Sequence, residues 1–333
     1  MCQTTQKPFH ETLSQQQYES FLADFDELEI SRNYSREERT AILDHIYSHR
    51  YRDILVDIVF KDIFSNPDYL KMLLGDILGE EIEELTYLPN ELSFAAENDK
   101  KAVIDVAATI RGGKKIIVEM QRQHETGFRS RLLFYGAQML ANQIRKGEPY
   151  RNIQSVYVIA LMNFTSRHGY KVPADKIMFR YQMTEADALR DVFSDRLNVL
   201  MLELPRMKKT APTDLASPME EWFYFMKNLR TFVRFPDGLN DRFRSIAHDA
   251  EIRQLDEKQQ HEYLKAMITE EQKQAIAEAN YEDGVLDGFD RGLEQGQAQA
   301  QKEMARRLLR QGILSLAQIA ECTGLSEEEI KQL

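Results

Sequence analysis

Asp105 and Glu119 are the residues of this sequence best placed to do chemistry. They interrupt two apolar stretches, residues 103–110 and 115–121, within the sequence VIDVAATIRGGKKIIVEMQ. Both stretches are rich in β-branched residues, and the RGG between them is typical of a tight turn. The pattern therefore predicts a β-hairpin that carries one acid on each strand.

The apolar pattern also predicts how the two strands pair. Side chains alternate between the two faces of a strand, so a slip of one residue would place the apolar sets on opposite faces. The sets align when Ile110 lies opposite Lys114 across a three-residue turn. The apolar positions predicted to share one face are then Ile104, Val106, Ala108, Ile110, Ile116, Val118 and Met120. The same register places Asp105 directly opposite Glu119, with Gln121 on the same face.

Carboxylates that face each other indicate a bound cation. Like charges opposite each other on adjacent strands cost up to about 1 kcal/mol. Mg²⁺ offsets such repulsion well, because it takes one or two carboxylates and keeps several waters. One interpretation of the pair is therefore that Asp105 and Glu119 bind Mg²⁺ or another divalent cation. The alternative is that both acids are solvated positions on a half-exposed hairpin.

The sequence around the hairpin resembles a known nuclease family. FKDIFSNPDYLKMLLGDILGEEI precedes the hairpin, VEMQ lies in its second strand, and RSRLLFYGAQMLANQIRKGEPY follows it. Asp105 with Glu119 and Gln121 resembles the E-x-Q form of the PD-(D/E)XK signature. The surrounding segments resemble the Rpn family of recombination-promoting nucleases and transposases, a branch of that superfamily. The resemblance extends from Tyr51 to the C-terminus.

This resemblance implies an α/β fold with a PD-(D/E)XK (restriction-endonuclease-like) core, in which helices flank a mixed central sheet. It implies a catalytic site of Asp105, Glu119, Gln121 and Lys61, with the two acids as metal ligands and the other two positioning water or phosphate. It also implies hydrolysis of double-stranded DNA, linked to recombination or mobile elements. Gln121 replaces the lysine of the superfamily pattern, and an amide does not stabilise developing negative charge as an ammonium does. The family shares this replacement.

Two further residues before the hairpin are candidates for the site. Asp57 and Lys61 are four apart in a predicted helix, so they share one helix face. The resemblance places the pattern D-x-x-F-K beside the active site. The alternative is a surface ion pair worth a few tenths of a kcal/mol, roughly 0.2–0.5.

The helix predicted over residues 128–145 carries candidate DNA-binding residues. Arg129 and Arg131 lie in its first turn, where a cation is unfavourable with the helix dipole unless an anion compensates. That anion could be a DNA phosphate or the acidic cluster itself, and the alternative is an exposed arginine pair. The resemblance includes an R-x-x-x-Y pattern at Arg131 and Tyr135, which favours a DNA-binding role over an exposed arginine pair. Gln138 is a further candidate on the same helix.

Composition limits the class of protein. The chain has 333 residues and a net charge of −11, which argues against a simple electrostatic nucleic-acid binder. Residues 100–151, however, contain eleven Lys and Arg against four Asp and Glu, a net charge of +7. The rest of the chain therefore carries −18, and the basic charge lies around the candidate site, where contact with phosphates would need it. The alternative for this segment is a solvated basic helix and turn with no role in binding. The two cysteines lie at opposite ends, and no membrane span or signal pattern is evident, so we expect a cytoplasmic protein.

The rest of the chain is predicted to support this domain. We expect a helical N-terminal extension at 1–50, a nuclease-like domain at 51–240, a helical connector at 241–303 and a helical C-terminal tail at 304–333. Glycines recur every fourth residue from Gly284 to Gly296 and would form one stripe on a helix, which fits either close contact with another helix or a frayed connector. The family resemblance includes this glycine ladder and implies a packed or self-associating helix, and thus a homo-oligomer formed through this helix and the tail. Capping boxes are predicted at Ser35, Ser315 and Ser326.

Strands are predicted at 82–88, 92–96, 155–163, 172–183 and 198–204, with Trp222 and nearby aromatics as core. The leading hypothesis is a metal-dependent DNA endonuclease. The alternative is a nuclease-fold protein that binds DNA or a protein partner with little or no catalysis.

Overall fold

The computed structural model describes residues 15–27, 32, 34–89, 91–92, 102–188, 191–270, 299–310 and 314–333. The chain divides into two compact units, residues 1–270 and 271–333. The predicted glycine ladder lies outside the described residues. None of the helices in the described part of the chain has the length and apolarity that a bilayer crossing requires.

A six-stranded mixed sheet forms the centre of the first unit. Its spatial order is β1-β4-β5-β6-β8-β7. Strands β5, β6 and β8 are mutually parallel, whereas β1, β4 and β7 pair antiparallel with their neighbours. A separate two-stranded sheet pairs β2 with β3. The strands are β1 Leu85–Tyr87, β2 Glu91–Leu92, β3 Ala102–Val103, β4 Val106–Ile110, β5 Lys115–Gln121, β6 Val156–Met162, β7 Met178–Thr184 and β8 Val192–Glu203.

Helices cover both faces of this sheet, which confirms the predicted α/β architecture. The larger core cluster packs α3, α4 and α6 on one face, and the smaller cluster packs α5 on the other. Trp222 and the aromatics beside it are buried in the larger cluster, as predicted. The helices of this unit are α1 Gln15–Glu27, α2 Arg36–Tyr47, α3 Asp57–Ile63, α4 Pro67–Leu78, α5 Phe128–Ala141, α6 Pro218–Asn228 and α7 Arg244–Asp249, followed by a helical segment at 257–270.

The predicted hairpin register is confirmed. Val106 lies opposite Val118 and Thr109 opposite Lys115, and the Ile110 N–H donates to the Lys114 carbonyl at 3.0 Å. The turn depends on Gly112 and Gly113, both at φ +80°, in the left-handed region that favours glycine. Register and turn together bring the start of β4 beside the end of β5.

One face assignment in the hairpin is wrong. Ile104 was expected to share a face with Val106, but it lies in the core cluster of the opposite face with Ala107. The strand is interrupted at Ile104 and Asp105, where the chain bends before β4 begins at Val106. A bend shifts the alternation, so the pattern of two no longer holds across it.

Several element ends also differ from the predictions. The strand expected at 82–88 is confined to β1, and α5 ends at Ala141 rather than at residue 145. In contrast, β8 begins at Val192, earlier than the predicted residue 198, because its first half pairs only with the exposed strand β7 and lacks an apolar run. The predicted capping box at Ser35 is confirmed.

The second unit contains a small core of its own. Ala305, Ile319, Leu325 and Ile330 are buried together, and short helices lie at Leu316–Thr323 and Glu327–Lys331. Both predicted capping boxes are confirmed at Ser315 and Ser326, and Gly324 ends the first helix in the left-handed conformation.

Candidate active site

Two buried carboxyl groups meet at the end of β5. Glu119 lies on β5 and Asp105 on the bend before β4, and both are at least nine-tenths buried. Each side chain accepts a hydrogen bond from the backbone of the other strand: Asp105 Oδ2 from Met120 N–H at 2.8 Å, and Glu119 Oε1 from Asp105 N–H at 3.2 Å. These reciprocal bonds fix both carboxyl groups on the same side of the hairpin.

Helix α3 brings a lysine to this pair. Lys61 Nζ lies 3.2 Å from Asp105 Oδ1 and 2.9 Å from Asp57 Oδ2. The apolar face of α3, with Val59, Phe60 and Ile63, is buried in the core, so its polar face is held at the hairpin. Asp57, Lys61, Asp105 and Glu119 therefore form one cluster that joins three separate segments of the chain.

The carboxyl groups of this cluster are held closer to the protonated state than usual. Burial raises the pKa of Asp105, and the neighbouring Asp57 carboxyl raises it further. Burial also raises the pKa of Glu119, and the charge of Asp105 adds to this effect. Burial opposes the charge on Lys61, but its ion pairs with Asp57 and Asp105 outweigh burial and raise the pKa of the ammonium group. The cluster thus holds more acid groups than its own cation neutralises.

An arginine from α5 reaches Gln121, the last residue of β5. Arg131 donates to Gln121 Oε1 at 2.5 Å and forms an ion pair with Glu125 at 2.5 Å. Gln121 in turn donates from Nε2 to the Gln123 carbonyl at 3.1 Å. The anion that compensates Arg131 in the first turn of α5 is therefore, in part, a carboxylate of this chain.

The other candidates on α5 are distributed along the helix. Tyr135 is buried one turn after Arg131, and burial together with the charge of Glu119 raises its pKa. Arg129 is directed away from the carboxyl pair and donates to the Arg167 carbonyl at 2.8 Å. Gln138 donates to Asn142 at 3.3 Å, two turns beyond Arg131.

Two features of the site were absent from the sequence-based prediction. Arg122, directly after β5, lies 3.1 Å from Asp53, directly before the loop into α3, and so braces the lysine-bearing helix against the strand of Glu119. In addition, Arg131 Nε and Gln123 Nε2 are buried without a hydrogen-bond partner among the described residues. Local sequence pattern gives no signal for either, because both depend on contacts between distant segments.

The donor set suits a hard divalent cation. Within the described residues, no group of three or more His, Cys, Asp or Glu side chains forms a ready-made metal cage. Mg²⁺ does not need one, because one or two carboxylates suffice when waters and substrate phosphates complete the octahedron. Asp105 and Glu119 offer carboxylate oxygens that repel each other, and a cation between them would relieve that repulsion.

Comparison with known proteins agrees with this fold. The family model described as PD-(D/E)XK nuclease family transposase matches residues 54–279, more than half of the chain. The chain therefore belongs to the PD-(D/E)XK nuclease family transposases, which bears out the resemblance inferred from its sequence. No curated protein and no solved structure matched the chain.

Proposed function

We propose that this protein is a divalent-metal-dependent DNA endonuclease and that Asp105 and Glu119 form its metal-binding centre. The observation that carries the proposal is the geometry of this pair. Two buried carboxyl groups face each other across the hairpin, held by reciprocal backbone bonds, with a lysine ammonium 3.2 Å from one of them. Such a pair does not serve stability, because neighbouring buried acids without enough cations destabilise the folded state.

Asp105 and Glu119 would hold Mg²⁺, or a similar cation, through their carboxylate oxygens. Such an ion, when bound, lowers the pKa of a water ligand and offsets charge on a phosphoryl oxygen. Lys61 is placed to orient that water or a phosphate oxygen, because its ammonium group already contacts Asp105. Gln121 would add a positioned amide on the same face of β5.

Arg131 supplies the positive charge that Gln121 lacks. Its guanidinium group binds Gln121 Oε1, so the replaced lysine position still has a cation beside it. A guanidinium donates several hydrogen bonds in a fixed plane and suits phosphate oxygens. The buried, unpartnered Arg131 Nε and Gln123 Nε2 also favour an acceptor in this region, since an unsatisfied buried donor costs about 1–3 kcal/mol.

DNA is the substrate class that the charge and the family favour. The net charge of +7 over residues 100–151 surrounds the carboxyl pair in sequence, although the whole chain carries −11. The family description names both a nuclease and a transposase. We extend the proposal to cleavage within double-stranded DNA during recombination or transposition, in a protein expected in the cytoplasm.

The competing proposal is a nuclease-fold protein that binds DNA, or a protein partner, without cutting it. Gln121 is the observation that favours it, because an amide replaces the ammonium of the superfamily pattern. The contacts of Lys61 and Arg131 argue against it, since Lys61 reaches Asp105 from α3 and Arg131 reaches Gln121 from α5.

The proposal is tested by incubating the purified protein with supercoiled plasmid and with linear duplex DNA, in MgCl₂, in MnCl₂ or in EDTA. We expect nicked and linear plasmid with either metal and none in EDTA. An intact plasmid under all conditions, together with a salt-sensitive gel shift, would instead support the binding proposal.

A further inference from the structure

A second polar cluster lies on the same sheet edge and the same face as the carboxyl pair. Across the parallel strands, Gln121 pairs with Met162 and Met162 with Glu203. Glu203 shares the α5 face with Gln121, because Met201 and Ile117 both belong to the core cluster on that face. With two strand spacings between them, their backbones are about 10 Å apart.

Glu203 is fully buried and anchors the connection between β6 and β7. Its Oε1 accepts from the Ser166 N–H at 2.8 Å and lies 2.9 Å from His168 Nε2. Its Oε2 accepts from Arg206 Nε. A buried carboxylate with this many partners is costly to assemble unless the segment it holds must have a defined position.

That segment presents cations on aromatic rings, and we call residues 164–182 the ledge. Lys176 Nζ lies 5.5 Å from the Tyr170 ring and donates to its hydroxyl at 3.0 Å. Arg129 of α5 lies over the Tyr181 ring at 5.8 Å and donates to the ledge backbone at Arg167. The ledge is therefore continuous with the first turn of α5, whose Arg131 reaches Gln121.

The lysines and arginines of the ledge form no ion pair with a carboxylate in the part of the chain that the structure describes. The ledge contains four Lys and Arg against one Asp in a chain whose net charge is −11. Among the described residues, none of Arg129, Lys171 and Lys176 has a carboxylate partner in an ion pair. Because the rings hold the cations, they orient positive charge rather than offer an open stacking surface for bases.

We propose that the ledge binds the phosphodiester backbone of the DNA strand that leaves the carboxyl pair. The inference rests on the proposed function, because the ligand is its substrate. A span of about 10 Å corresponds to roughly three phosphates of one strand along a duplex axis. Contacts to phosphate alone carry no sequence information, so the ledge sets the position of the duplex and not its sequence.

The test compares two double variants with the same change of charge. Lys171→Gln with Lys176→Gln removes two ledge cations. Lys146→Gln with Arg151→Gln is the matched control, because both residues lie on the connection that enters β6 at the opposite edge of the sheet. Binding of a labelled duplex of arbitrary sequence is measured by fluorescence anisotropy in EDTA over a range of NaCl concentrations, and plasmid cleavage is measured in parallel with MgCl₂.

We expect the ledge variant to bind more weakly and the salt dependence of log K against log [NaCl] to become shallower by up to about 1.8, roughly 0.9 for each lost phosphate contact. The control should retain the wild-type slope. The proposal would be overturned if the ledge variant and the wild type had equal slopes of log K against log [NaCl]. Equal losses of DNA affinity in the two double variants would also overturn it.

The two readouts separate this inference from the proposed function. Metal-dependent cleavage by the wild type together with unchanged DNA binding by the ledge variant would refute the DNA-binding role of the ledge and support the proposed nuclease activity. Ledge-dependent binding without any cleavage would support the ledge as a DNA-binding surface and refute the nuclease. Thermal unfolding by circular dichroism checks that both double variants are folded at the assay temperature. The ledge variant should have the lower Tm of the two, because Lys176 donates a hydrogen bond to Tyr170 and contacts its ring, whereas Lys146 and Arg151 are exposed.

Discussion

At the scale of single residues, the carboxyl pair is the proposed metal-binding centre, and in the absence of a cation it lowers the stability of the fold. Asp105 and Glu119 each bind the backbone of the opposite strand, so neither can turn away from the other. Their raised pKa values follow from burial and from acidic neighbours. These raised pKa values fit our proposal that a bound cation stabilises the charged form of the pair.

This cost predicts a pH dependence of stability in the absence of metal. The pKa values of Asp105 and Glu119 are higher in the folded state than in the unfolded chain. Above about pH 4, the ordinary carboxyl range, the folded state therefore binds more protons than the unfolded state. The free energy of unfolding consequently falls as pH rises through the folded pKa values. Asp105→Asn should therefore lose less stability than the wild type between about pH 5 and about pH 8 in urea unfolding with EDTA.

The control for this measurement is Asp237→Asn, which changes an exposed acid. It should keep the wild-type dependence on pH, and MgCl₂ should raise the stability of the wild type more than that of Asp105→Asn at the higher pH. Parallel pH profiles for Asp105→Asn and the wild type would contradict this electrostatic description of the pair.

Arg131 is predicted to contribute charge and not only a contact to Gln121. Arg131→Gln should lower the rate of DNA cleavage by about 10²-fold, comparable to the removal of one positioned transition-state donor. Arg131→Lys should recover part of this loss because the charge is retained without the planar geometry. Equal rates for Arg131→Gln and the wild type in single-turnover assays would show that this arginine is structural.

At the scale of elements, the β4–β5 hairpin positions the site. The alternation of apolar residues and the RGG turn determine its register, and both are visible in the sequence. Its neighbours are not visible in the same way. Lys61 reaches Asp105 from α3, and Arg131 reaches Gln121 from α5, through packing between distant segments.

The hairpin turn predicts a specific mutational effect. Gly112 has φ +80°, and a side chain there would meet open space, so Gly112→Ala adds only the strain of the left-handed conformation. That strain is about 1–2 kcal/mol, and Gly112→Asn should lose less because Asn adopts this conformation more readily. Urea unfolding that gave equal losses for both variants would contradict the assigned turn.

At the scale of the whole molecule, charge is divided between the edges of the sheet. Arg129 and Arg131 lie at the edge that carries Asp105 and Glu119, whereas Lys146 and Arg151 precede β6 at the other edge. The basic segment predicted from the sequence is thus split by the fold. Composition gave its net charge but not this division, because helix α5 runs back across the sheet between the two groups.

Some parts of the fold and of the candidate site could be predicted from the sequence, and others could not. The mixed sheet, the hairpin register and the aromatic core followed from periodicity and from the family resemblance. The bend at Asp105 reversed the face of Ile104, since alternation holds only while a strand is continuous. Glu203 gave one weak signal, an acid at the end of an apolar strand, but its partners Ser166 and His168 come from a different connection.

The second unit is predicted to be dispensable for cleavage. Every residue proposed for the site lies within residues 1–270, and the second unit has its own core around Ile319. Ile319→Ala should destabilise that core by about 2–5 kcal/mol and leave the cleavage rate unchanged. Hydrogen exchange should be faster in residues 314–333 alone, and a proportional loss of cleavage would refute this independence.

The proposed metal-binding role of the carboxyl pair is tested by the initial rate of plasmid nicking with MgCl₂. The variants are Asp105→Asn, Glu119→Gln and the control Glu148→Gln, which changes an exposed acid at the opposite sheet edge. All three changes remove one carboxylate without removing volume. We expect a loss of at least about 10²-fold for the first two variants, because metal-assisted charge stabilisation is worth several kcal/mol, and a wild-type rate for the control. Nicking at the wild-type rate by either Asp105→Asn or Glu119→Gln would contradict the proposed role.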